Sequence, residues 1–206
     1  MNSGGETVMN KFYETLMVAL IPVFLGVSLY AYVTGDAVLH VMSYQGPIVA
    51  GGILGWLSVM RANKDRVYSP SVTEELMPLI GLVYRKYAPF LVSVGVVLMS
   101  IWLVPTFYRL EVDEPLYYVA SFISEIVGGF LVGVTIPSLK FIEKVILYSM
   151  GVGADLFYVY IIFIGSTMFG IPQSVMLNYV LATVFLVKAP EGVALSLYIA
   201  RKIGML

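Results

Sequence analysis

From Thr15 to Gly35 the chain runs without one charged side chain, and five more stretches of similar length follow it. They are Ala37–Met60, Tyr87–Tyr108, Leu116–Leu139, Val145–Gly170 and Val175–Ala200. A helix crossing the hydrocarbon of a bilayer needs about 20 mostly apolar residues, and each stretch meets that length. None alternates polar with apolar at a period of two, and lipid leaves only helices or closed barrels as spanning structures. The expected fold is therefore an all-α polytopic membrane protein, a single integral membrane domain over residues 1–206 with six transmembrane helices.

Charge is scarce enough to require that solvent. Only 12% of residues are charged and 59% are hydrophobic, where soluble chains carry about twice as much charge. The basic residues also assign a side. With six spans, Lys11, Arg61, Lys64, Arg66, Arg85, Lys86, Lys140, Lys144, Arg201 and Lys202 share one face. The opposite face holds Arg109 beside Glu111, Asp113 and Glu114. The positive-inside rule then places both termini in the cytoplasm, in a cell membrane. The one long connection, Arg61–Lys86, contains Ser71 three residues before Glu74. That is a capping-box spacing, and it predicts a short interfacial helix carrying Leu76, Leu79, Ile80 and Val83.

Absent residue types narrow the chemistry. Without cysteine and with His40 as the only histidine, thiolate metal sites, HExxH sites and cysteine nucleophiles are excluded. No metal or cofactor is expected. A net charge of −1 offers no basic surface for nucleic acid. Gly165-Ser166 lacks the second glycine of an intramembrane serine protease, and Asp155 lacks the glycine three residues before it that an intramembrane aspartyl protease carries. An enzyme has little support.

The exceptions to charge scarcity point to function. Lys188 lies midway along the sixth stretch, Glu191 follows it by three residues, and Pro190 stands between them. Proline removes a backbone donor and clashes with the carbonyl four residues earlier, so the sixth helix is expected to kink or break there. Glu125 lies ten residues past Pro115, and Asp155 eleven residues past Lys144. Each charge at the bilayer centre costs about 2.5–3.5 kcal/mol on insertion scales. Three acids face one base, so a single internal ion pair cannot neutralise them. Glu125, Asp155, Lys188 and Glu191, with the amide of Gln45, are the candidate site for an ion or small polar solute. The alternative is that these charges pair internally, or with a second membrane subunit or another copy of the chain.

Two glycine-rich segments resemble each other, Ile48–Gly55 in the second stretch and Ile126–Gly133 in the fourth. Gly51/Gly55 and Gly129/Gly133 each have the GxxxG spacing that lets helices approach closely, and Gly128 adds another small residue. A second echo joins Lys86-Tyr87-Ala88-Pro89 to Lys188-Ala189-Pro190. Together they suggest two three-helix halves of opposite orientation, with Pro190 and Gly128/Gly129 as points of rearrangement. Over its last thirty residues, with Pro190-Glu191-Gly192 leading to Arg201-Lys202, the chain resembles in architecture the substrate-binding membrane component of vitamin uptake systems. The resemblance implies a non-transporting subunit of a larger uptake complex. The first stretch departs from it, lacking the AxxxA face with which such components dock.

Overall fold

The computed structural model describes residues 3–35, 37–62, 66–67 and 77–202. They form α1 (Ser3–Thr34), α2 (Ala37–Met42), α3 (Gln45–Ala62), α4 (Leu79–Ser100), α5 (Pro105–Asp113), α6 (Pro115–Thr135), α7 (Phe141–Met168), α8 (Gln173–Thr183) and α9 (Ala189–Lys202). The described residues are helical apart from turns and one antiparallel ladder, β1 (Arg66–Val67) with β2 (Met77–Pro78). Four segments are long and apolar enough to cross a membrane: Glu14–Thr34, Val83–Leu103, Pro115–Ser138 and Phe141–Met168. The protein is thus an all-helical one with candidate membrane spans.

The other two apolar stretches are interrupted helices. The second divides at Ser43–Tyr44 into α2 and α3. The sixth divides into α8, a π-helical turn at Val184–Lys188, and α9. Proline has no N–H to give and its ring is incompatible with the carbonyl four residues earlier in a regular α-helix, and a wider turn answers both constraints. The kink expected beside Lys188 takes this form.

The connection between α3 and α4 departs from the sequence expectation of a separate interfacial helix. Met77 and Pro78 pair with Val67 and Arg66 as strand, and Leu79, Ile80 and Val83 belong to the first turns of α4. Their helical spacing is real, but it belongs to the start of α4, whose later part is a candidate membrane span. Ser71, Glu74 and Leu76 lie outside the described residues.

Prolines and one glycine set the helix ends. Val104 and Glu114 precede Pro105 and Pro115 and are extended, at φ −67°, ψ 129° and φ −132°, ψ 113°, as proline imposes on its predecessor. Glu114 therefore ends α5 and begins α6 at once. Gly170 closes α7 at φ 64°. Ile171 N–H bonds the Ser166 carbonyl at 2.8 Å and Gly170 N–H bonds that of Thr167 at 3.4 Å, a Schellman closure that favours glycine.

Residues 1–156 and 157–206 form two compact units. In the first, α6 packs against α3, α4 and α5, and α3 against α1. The glycines explain how closely. A Cβ on Gly51 would strike the Ile126 backbone, one on Gly129 the Ile48 carbonyl, one on Gly133 the Gly52 carbonyl, and one on Gly55 the Phe130 carbonyl. The two GxxxG pairs thus face each other across one α3–α6 seam. On α4, Gly95 approaches Gly128 so that a Cβ on either would stand 2.8 Å from the other's carbonyl oxygen. Ion pairs join the helices at one end of this unit: Arg61 Nε to Glu14 Oε1 at 2.6 Å, and Arg85 to Glu143 at 3.9 Å.

In the second unit, the Ser166 hydroxyl donates to the Phe163 carbonyl at 2.8 Å and lies 3.5 Å from Met176 Sδ. Ile161, Ile162 and Met176 are buried there.

Candidate functional site

Both buried acids of the first unit lie away from the Arg61–Glu14 pair, together with buried Ser43 and Ser121, while Thr135 and Ser138 are buried toward the other end of α6. Along α6, Tyr118, Ser121 and Glu125 are buried in succession, spaced three and four residues apart on one helix face. At 1.5 Å of rise per residue, Glu125 stands about 15 Å from Pro115 along the helix. Its side chain is 2% exposed.

Glu111, on α5, completes the group. It is 4% exposed, and Oε1 lies 2.8 Å from Ser121 Oγ. Ser121 Oγ also lies 2.9 Å from the Tyr118 carbonyl oxygen. Glu111 and Glu125 are within electrostatic reach of each other and of Tyr118. Among the described residues neither carboxyl group belongs to an ion pair. Burial pushes the Glu111 carboxyl from its usual 4.5 up to about 7, against a smaller downward pull from the Ser121 hydrogen bond. A carboxylate with little water and no cation nearby favours its neutral form.

Aromatic rings and small polar groups surround the pair. Tyr32 of α1 stacks on Tyr118 with centroids 3.4 Å apart, and His40 of α2 lies 4.6 Å from Tyr32. The Ser43 hydroxyl donates to the His40 carbonyl at 2.6 Å. The Tyr118 hydroxyl faces Ser43 without a well-formed hydrogen bond among the described residues.

The sequence-selected residues are distributed as follows. Glu125 is at the heart of the group. Gln45 opens α3, and its amide nitrogen is buried with no hydrogen-bond partner among the described residues. Asp155 is half-buried on α7, and it is not among the charges felt by Glu125 or Tyr118. Lys188 and Glu191 belong to the second unit. Lys188 is half-buried at the end of the π turn, and Glu191 lies in the first turn of α9, its side chain outside the described residues. Pro190 precedes it in the same turn. No group of three or more metal-ligating side chains occurs among the described residues.

Glu111 is the residue that sequence reasoning missed, because it sits among the charges of an apparent loop. A signal was present. Pro105 and Pro115 bracket a helical length, Tyr108 and Glu111 share one face, and Arg109 and Asp113 pair at 3.5 Å on the exposed face.

Residues 76–189 match the model of a family described as a protein of unknown function, DUF1404. The chain belongs to this family. The DUF1404 region contains Glu111, Ser121, Glu125, Asp155 and Lys188, and it ends just before Pro190 and Glu191. Gln45 and the α3 glycines lie before it. No curated protein and no solved structure matches the chain.

Proposed function

We propose that the protein is a small transporter of the cell membrane, moving an ion or small polar solute by conformational change around an intramembrane carboxyl site. The observation that carries this reading is the burial of Glu111 and Glu125 together, with no cationic partner among the described residues. Placing uncompensated acids within a helical membrane domain costs free energy without adding packing, and such groups mark ion and proton pathways. The chain would cross six times with both termini cytoplasmic. Its second and sixth crossings would be the broken helices α2–α3 and α8–α9, and broken helices are where transporters place binding groups. Gln45 would then supply a further polar contact at the first break and Lys188 and Glu191 at the second, with Asp155 on the unbroken α7.

The seam below Glu125 supports a carrier over an open channel. Gly128, Gly129 and Gly133 bring α6 into backbone contact with α3 and α4, so a passage along this seam would require those helices to part. The same closure favours one other reading, a non-transporting membrane subunit whose acids serve a partner or the fold.

Proteoliposomes separate the two. Proton, sodium and potassium fluxes under an imposed diffusion potential should be present in the wild type and lost in Glu125→Gln, Lys188→Met and Glu191→Gln, each still monodisperse. Equal flux in all four proteins sinks the transport reading. Absence of flux together with a co-purifying membrane protein supports the subunit.

A further inference from the structure

The Ser121 hydroxyl has two neighbours that both want a proton from it. Glu111 Oε1 is 2.8 Å away and the Tyr118 carbonyl oxygen 2.9 Å. A hydroxyl carries one hydrogen and can donate once, but it can accept as well. With Glu111 ionised, both neighbours are acceptors, and one of the two short contacts is left without a hydrogen. With Glu111 protonated, Glu111 Oε1–H donates to Ser121 Oγ while Ser121 donates to Tyr118, and each contact holds one hydrogen. Ser121 thus has a role in both states of Glu111, donating its hydrogen to the ionised carboxylate and accepting one from the neutral acid.

We propose that Glu111, Ser121 and the Tyr118 carbonyl form a proton-binding site, loaded from the membrane face on which α5 lies, and that a proton is the ion this protein handles. The proposal rests on the transport reading for its purpose, though the site stands without it. No covalent bond other than Glu111 O–H forms or breaks, and the proton comes from water and returns to it.

The surroundings agree. From α6, the titratable groups nearest Glu111 are Tyr118 and Glu125, the second an acid buried as deeply as Glu111 itself. A charge on Glu125 favours keeping a proton on Glu111. The turn Ile101–Leu103 packed against α5 carries no ionisable residue. From α2 comes His40, lying against Tyr32. On α5 itself, Arg109 is held by Asp113 at the exposed face, and Glu114 is exposed. Burial raises the Glu111 carboxyl to about 7, where a proton is taken up and released near neutral pH.

Infrared difference spectroscopy on the full chain in liposomes tests the site directly. Stepping the pH between 5 and 9 should reveal a protonated-carboxyl band that disappears with a midpoint near 7. Glu111→Gln should abolish that component. Ser121→Ala, which needs no change of charge, should move the midpoint upward by roughly one pH unit, because the charge-assisted hydrogen bond to the ionised form is the stronger of the two that Ser121 makes. A wild-type band left intact by Glu111→Gln, or a midpoint unmoved in Ser121→Ala, overturns the proposal. Flux measured on the same vesicles keeps the two readings apart. A titrating Glu111 without flux removes the transporter and leaves the site. Flux that needs Glu125 but shows no titrating Glu111 does the reverse.

Discussion

The two halves of α6 use one helix face for opposite ends. From Tyr118 to Glu125 the face is polar, buried and chargeable. From Gly128 to Gly133 it is bare backbone pressed against backbone. In the glycine half, stability comes from contact so close that no side chain fits. In the carboxyl half, burial works against the fold whenever a proton leaves. The contrast shows how a membrane helix can hold an expensive group in place, because the neighbouring turns supply packing that does not depend on charge.

The sharpest way to break this comparison is to insert a side chain into the seam. Gly129→Val should destabilise by more than about 3 kcal/mol, since two backbones must separate and overpacking alone costs 1–3 kcal/mol. Thermal unfolding in detergent should show little or no folded protein. A variant as stable as the wild type would mean that α3 and α6 are not in contact.

The carboxyl half makes the next largest claim. Glu111 has its folded value raised from 4.5 to about 7, so its contribution is fully present below pH 4.5 and is lost as pH climbs through 7. The loss should be about 3 kcal/mol, as each pH unit of displacement is worth about 1.36 kcal/mol. Melting temperature should therefore fall from pH 4.5 to 7 and level off above, and Glu111→Gln should flatten the fall. A melting temperature that rises over that interval contradicts the assignment.

Two smaller effects sharpen the contrast. Gly151 on α7 has no atom within 4 Å of where a Cβ would stand, so Gly151→Ala should stabilise by about 0.5–1 kcal/mol through helix propensity alone. If it destabilises as Gly129→Val does, glycine packing is not what separates the two positions. Arg109→Ala, at an exposed pair, should cost less than about 0.5 kcal/mol and leave the pH dependence unchanged. A displaced pH profile would bring Arg109 into the Glu111 site.

Long apolar runs were legible from sequence because their cause is local: length and hydropathy together require a helix in lipid. Glu125 was legible for the same reason, as an acid inside such a run. Glu111 was not. Its burial depends on α5 folding back onto α6, a tertiary event with no trace in a nine-residue polar segment beyond the phase of Tyr108 and Glu111. The interruptions had partial signals. Pro190 announced a break by its chemistry, whereas the turn at Ser43–Tyr44 has no proline of its own and follows from neighbouring Gln45-Gly46-Pro47. The β1–β2 ladder joins residues ten or more positions apart, and a two-residue strand has no periodicity to read.

Glu114 has a further consequence. Because this one residue both terminates α5 and starts α6, the corner between the helices contains no slack. Adding a single residue between Glu111 and Pro115 would swing Glu111 about 100° around the α5 axis, given 3.6 residues per turn, and carry it off the face it shares with Tyr108. The spacing of Glu111 to Ser121 is thus a fixed length of chain, and related sequences that keep the two residues should neither gain nor lose a position between them.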